Sequence, residues 1–412
     1  NNCNRLGLVE EVSVARGASP RQHHVSISAA MLVLAATLSC GRGNPTIPSD
    51  ATVLVTPASI LLVGAGETLP FVAQVTDASG ATLPLSVEWS TDDPAVARVA
   101  ADGVATAVAT GTTRVEATVG SISGTALLEV WVPPEVESYE PGQTHFGRAS
   151  YVEYVVGELP IVISAPHGGS LVPDEIPDRT FGVTTRDLNT EELSRSIRKA
   201  LIARTGRAPH LIVSHLRRTK LDPNREIAEA AQANPFAENA WAEFHGFIEV
   251  AEDVVARDFG SGLYLDIHGH GHDIDRLELG YLLSQNDLSR PDEDLTVQSL
   301  VDKSSLRSLA GTVAITFGDL IRGPASLGTL LQDGGIRAVP SSSEPDPGGA
   351  PYFSGGYSTA RHGSRDGGSV SGIQIEHHFP DVRDSEQNRE AYAAILAESL
   401  VTYLAVHFGL VL

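Results

Sequence analysis

Cysteine is nearly missing: the chain has two, Cys3 and Cys40, both within the first 40 positions. Everything after them has no thiol to give to a disulfide, a cysteine-bound metal or a covalent mechanism. Lysine is as scarce, with Lys199, Lys220 and Lys303 alone, and neither G-x-x-x-x-G-K-[ST] nor G-x-S-x-G occurs. Phosphate-loop nucleotide hydrolases and ordinary serine hydrolases are therefore disfavoured. Positive charge is short throughout, with 29 Lys and Arg against 51 Asp and Glu, a formal net of −22. That balance argues against a partner nucleic acid held by phosphate contacts. Only three Trp are present, few for a sugar-active enzyme.

What the chain does have is 412 residues, 42% of them hydrophobic, and 14 His. At about 150 residues per domain the length predicts two or three domains. Any metal must be held by imidazoles and carboxylates. Near the start, Val25 to Leu38 form an uncharged stretch of 14 residues preceded by Arg16 and Arg21. A spanning helix needs about 20 apolar residues, so this stretch reads as the hydrophobic part of an export signal occupying residues 1–40. It closes on Thr37, Ser39 and Cys40, and resembles a bacterial lipoprotein signal with Cys40 as the lipidated residue. Thr37 departs from the aliphatic residue usual there, which leaves simple cleavage and secretion open. The expected location is the cell envelope or the exterior, with membrane attachment through Cys40.

A linker over 41–50 leads into residues 51–132, where short alternating runs such as TVLVTP, LPFVAQVTD and ALLEVWV are separated by Gly, Pro and Asp turns. This spacing predicts an all-β sandwich. The segment has no His and no converging carboxylates, hence no visible chemistry. A second linker covers 133–147. Residues 148–412 hold 11 of the 14 His and alternate strand-like runs (LPIVISA, HLIVSHL, GLYLDIH, TVAITF, SGIQIEHHF) with amphipathic helical stretches. The helices expected are 191–205, about 236–259 and 385–407. Buried strands alternating with such helices predict an α/β sheet covered on both faces, with ligands at the carboxyl ends of the strands.

The notable residues fall at those ends. His167 follows its strand in APHGG, and GLYLDIH runs into His268, His270 and His272, separated by single glycines. Three imidazoles on alternate positions are hard to explain as packing and point to metal ligation. Asp266 lies on the same side of its strand as His268, placed either to share the metal or to orient the imidazole. A third ligand is sought among Asp187, Glu191 and Glu192; Glu192 also fits a capping box with Asn189. Glu376 ends the strand GIQIEHHF and is placed as a general base beside a metal, with Gln374 on the same face. Finally, RRTKLDPNREI gathers Arg217, Arg218, Lys220, Asp222, Asn224 and Arg225, a set suited to an anionic substrate or to a plain surface ion-pair cluster.

Two resemblances arise from these segments. VEWSTDDPAVARVAADGVATAVATGTTRVEATV closely resembles the bacterial immunoglobulin-like (group 2) domain, with Trp89 in the core and Gly103 and Gly111 in turns. It implies a spacer or adhesion module with a cell-surface partner. Taken in order, APHGG, LDPNRE, LDIHGH, YFSGGYSTARHG and IQIEHH resemble the N-formylglutamate amidohydrolase family over about residues 150–405. That resemblance implies a zinc exopeptidase-like α/β fold with a mixed sheet and one Zn2+. It makes His167, His268 and Glu192 the ligands and Glu376 the general base. Asn224 and Arg225 become the carboxylate-binding pair, with Arg218 beside them, and Tyr357 closes over the substrate. The loop is richer in His than the family's D-x-H-S, so His270 becomes a ligand or a proton donor.

The function expected is an exported zinc amidohydrolase acting on a small anionic N-acyl amino acid or acidic peptide. The alternatives are a zinc carboxypeptidase or poly-γ-glutamate hydrolase, and a non-catalytic surface adhesion protein.

Overall fold

A computed structural model describes residues 47–412; the signal-like stretch and Cys40 lie outside them. Between Thr52 and Trp131 the alternating runs become nine short strands. Ser59–Val63, Ile122–Trp131, Gly111–Val119 and Glu88–Thr91 make one sheet in that order. Thr68–Pro70, Val104–Ala107 and Ala97–Val99 make another, and Thr52–Thr56 pairs with Val72–Thr76. Their inward residues, among them Val115, Ala117, Leu128 and Val130, form the sandwich core, with Trp89 half-buried against it. Gly103 has φ +86°, and a Cβ there would meet Phe71 O at 2.7 Å and the Trp89 ring at 2.9 Å. Only glycine allows both that turn and that close packing.

The remaining residues build one mixed sheet of eight strands: β1 (Thr144–Phe146), β2 (Val152–Val155), β3 (Ile161–Ala165), β4 (His210–Ser214), β5 (Gly262–Gly269), β6 (Leu277–Gly280), β7 (Ala338–Val339) and β8 (Val370–His377). Their order is β1-β2-β4-β3-β5-β8-β6-β7. The central four, β4, β3, β5 and β8, run parallel, so Ser214, Ala165, Gly269 and His377 all end at one edge. Alternate residues of the central strands face opposite layers. Ile161, Ile163, Leu263 and Leu265 pack with α1 (Thr190–Thr205) and α3 (Glu386–Phe408); Val162, Ile212 and Tyr264 pack with α2 (Pro235–Phe259). This explains the near-continuous apolar runs, since strands buried on both faces need them. Helix α3 is long and apolar enough to cross a membrane by length and composition, but half of its most apolar stretch is buried inside the fold.

TVAITF is not a strand. Thr316 Oγ1 accepts from Asp319 N at 3.0 Å and starts a helix over Phe317–Arg322, so local capping outweighs β propensity. The capping box between Asn189 and Glu192 is also absent. Asn189 adopts a left-handed conformation (φ 65°), and its Nδ2 donates to Arg383 O at 2.7 Å.

Just past β4, His215 Nε2 lies 3.0 Å from Glu153 Oε2 and Nδ1 lies 3.5 Å from Glu191 Oε1. Hydrogen bonds to Glu153 and Glu191 push its pKa up to about 9 from 6.5. The folded protein therefore holds this proton more tightly than the unfolded chain. The resulting stabilisation is full below pH 6.5 and is lost as pH rises through 9. Discounted for solvent screening, it amounts to about 1 kcal/mol. Urea unfolding at pH 6 and pH 9.5 should show that loss in the wild type and not in His215→Gln; equal pH dependence in both would refute the assignment.

Candidate metal centre

Three strand ends and one loop supply the site. β3 runs into Pro166 and His167, β5 carries Asp266 and His268 two residues apart, and β8 carries Glu376 directly opposite His268 in register. Asp187 arrives on the loop before α1, fixed by Gly269 N donating to its Oδ2 at 3.1 Å. His167 Nδ1 lies 3.3 Å and His268 Nδ1 3.4 Å from Asp187 Oδ2. One ligand atom from each of the three falls within 4.8 Å of the others, and all three residues are buried.

The far side of each ring is occupied. His167 Nε2 donates to Asp222 Oδ1 at 2.7 Å, and His268 Nε2 donates to Asp266 Oδ2 at 3.0 Å. Both Asp222 and Asp266 are fully buried. Each imidazole is thus held by a carboxylate on Nε2 and presents Nδ1 to the common point beside Asp187, the way protein metal ligands are oriented. Among the described residues, the guanidiniums in ion-pair range of Asp187, Asp222, Asp266 and Glu376 are Arg218 and Arg179. Four buried carboxylates against two such cations suit a divalent ion placed between the rings.

The electrostatics follow. Burial alone would raise the Asp187 carboxyl, but His167 and His268 outweigh it and hold it well below the usual range. Asp222 and Asp266 are lowered in the same way against burial, chiefly by His167 and by His268. Glu376 goes the other way. Burial pushes it up to about 8, with Asp187 and Glu278 adding to the effect and His268 opposing it. Gln374 Nε2 donates to Glu376 Oε1 at 3.0 Å and fixes its orientation.

The expected residues are placed unequally. His167, His268 and Glu376 meet. Glu192 does not: it is exposed on the first turn of α1, whose Leu193, Ile197 and Leu201 face the core. The carboxylate between the imidazoles is Asp187. Arg218 is not free to clamp a substrate, because its Nε donates to Asp222 Oδ2 at 3.0 Å and its Nη1 to Asp187 Oδ1 at 3.3 Å. Asn224 reaches the centre, its Nδ2 3.3 Å from His268 Nε2, while its Oδ1 accepts from Ser358 N at 2.8 Å. Arg225 is half-buried near Glu229, with Nη1 donating to Asn224 O. The Tyr357 hydroxyl accepts from Arg361 Nη1 at 3.0 Å, and its ring lies 6.0 Å from that of Trp241. His270 does not join His167, Asp187 and His268: its Nε2 donates to Arg276 O at 2.8 Å, and it groups with His272 and Glu278.

Comparison with known proteins bears chiefly on the sandwich. Residues 51–130 match the family model for the bacterial Ig-like domain (group 2). This segment is a bacterial Ig-like domain. No curated protein matches the chain. Among solved structures, an N-formylglutamate amidohydrolase from Ralstonia eutropha JMP134 is similar at 14% identity, over 63% of this chain and 99% of that one, with a TM-score of 0.38. A gene product of Agrobacterium tumefaciens is similar at 14% identity, over 62% and 95%, with a TM-score of 0.37. Domains 1–6 of the surface layer protein SbsC are similar at 17% identity, over 25% and 18%, with a TM-score of 0.19.

Proposed function

We propose that residues 148–412 form a zinc-dependent amidohydrolase. Its substrate would be a small carboxylate-bearing N-acyl amino acid of the N-formylglutamate kind, or an acidic peptide. The observation that carries this reading is the pair of imidazoles converging on Asp187, each braced by its own buried carboxylate. The five ordered motifs that resemble the N-formylglutamate amidohydrolase family support it. His167, Asp187 and His268 would hold the ion. When bound, zinc supplies a Lewis acid that polarises a carbonyl and acidifies water.

The protein's own groups do the rest. Glu376 stands opposite His268, is buried, and takes a proton and returns it to the leaving amine. Burial raises its pKa, which suits a carboxylate that both takes and gives up a proton. Asn224 and Arg225 bind the substrate carboxylate; Arg225 is partly exposed and its partner Glu229 more so, so the guanidinium can exchange that partner for a ligand. Export by the N-terminal segment, attachment through Cys40 and a cell-surface partner for the Ig-like domain belong to the same proposal.

The test is amine release by the zinc-loaded full chain from N-formyl, N-acetyl and longer N-acyl amino acids, beside oligo-γ-glutamate and peptides. Turnover of the small anionic amides is expected. Turnover confined to polymers would move the assignment to a poly-γ-glutamate hydrolase, and no amine release from any of them would end the hydrolase reading.

A further inference from the structure

The centre uses one of the three histidines in the H-G-H-G-H loop, and the other two have a destination of their own. His272 Nδ1 lies 2.9 Å from Glu278 Oε1, and the His272 ring stacks on Phe353 at 4.7 Å and 9°. His270 Nε2 donates to Arg276 O, which makes Nδ1 its lone-pair nitrogen; this accepts from His272 N at 3.1 Å. Ligand atoms of His270, His272 and Glu278 lie within 4.8 Å of one another. Glu278 is fully buried, and its nearest guanidinium, Arg276 Nε, stands 3.9 Å away with no hydrogen-bond partner. A third imidazole is at hand: the His378 ring lies 6.4 Å from that of His270, and its buried Nδ1 is unpartnered.

We infer that His270, His272 and Glu278 form a second divalent-cation site. Register places it relative to the first. On β8, Glu376 pairs with His268 of β5 on one side and with Glu278 of β6 on the other. The proposed general base therefore stands in register between the two sites. Two imidazoles and one carboxylate suit zinc or another borderline transition ion, and suit calcium or magnesium poorly. Coordination replaces the hydrogen bond from His272 N to His270 Nδ1, and Gly271, with open space where a side chain would be, lets the loop adjust. The inference extends the metal reading of the neighbouring centre but uses none of its residues.

The experiment is zinc stoichiometry of the full chain after chelation and reconstitution, with folding checked by circular dichroism. Two ions per chain are expected, falling to one in His272→Ala and in the near-isosteric Glu278→Gln, and to one in His167→Ala. A wild type with one ion, lost in His167→Ala and kept in His272→Ala, overturns the second site and leaves the first. Two ions retained in both His272→Ala and Glu278→Gln also overturn it. One ion lost in Glu278→Gln and kept in His167→Ala supports the second site and removes the first. No ion in the wild type overturns both.

Discussion

Glu376→Gln is expected to lower turnover of a small N-acyl amino acid by about 10²- to 10⁴-fold while leaving the protein folded and its metal content unchanged. The size follows from the role: a positioned carboxylate that moves a proton in the transition state contributes that much, and Gln keeps the shape without the basicity. Structural cost should be small, because the side chain is already held in an amide–carboxylate contact with Gln374. It also makes no ion pair among the described residues, so its loss strands no buried cation. The measurement is kcat of the zinc-loaded variant beside its zinc content and melting temperature. Full activity in a folded, metal-loaded variant would remove Glu376 from the mechanism.

The second large effect separates Asp187 from Glu192. Asp187→Asn should weaken zinc binding by more than about 100-fold, since a direct ligand matters more than an orienting partner, whose loss costs about 10- to 100-fold. Asp222→Asn should fall in that lower range, because it removes only the carboxylate bracing His167 Nε2. Glu192→Gln should change nothing, its side chain being exposed on α1. Zinc affinity by competition with a chromophoric chelator checks all three. Asp187 also pairs with Arg218, so circular dichroism must accompany the measurement. A loss of affinity in Glu192→Gln with none in Asp187→Asn would reverse the assignment.

The sequence made the strand ends legible and left the loops between them open. LPIVISA, HLIVSHL, GLYLDIH and SGIQIEHHF read as buried strands because both of their faces are apolar, and that alone brings His167, Asp266, His268 and Glu376 to one edge. The period of two put Asp266 beside His268, and of the two roles that position allowed, the orienting one is what its contact with Nε2 describes. The third carboxylate was a different problem. Asp187 sits two residues before Asn189, and the left-handed turn at Asn189 is stabilised by Arg383, 194 residues away. Nothing local signals that turn, so the capping pattern drew attention to Glu192. Arg218 misled for a similar reason. Its two carboxylate partners are Asp222, four residues on, and Asp187, 31 residues back, and only the fold shows that both are taken. Asp222 itself carried a usable signal, an acid between Leu221 and Pro223 in the loop after a buried strand, but its partner His167 is 55 residues distant.

The central claim is that one ion sits among His167 Nδ1, Asp187 Oδ2 and His268 Nδ1. Diffraction from crystals of the zinc-loaded full chain, recorded just above and just below the zinc absorption edge, tests it most directly. An anomalous peak touching those three atoms is expected, present above the edge and absent below it. A map with no peak there, or with the ion on Glu192 in place of Asp187, would contradict it.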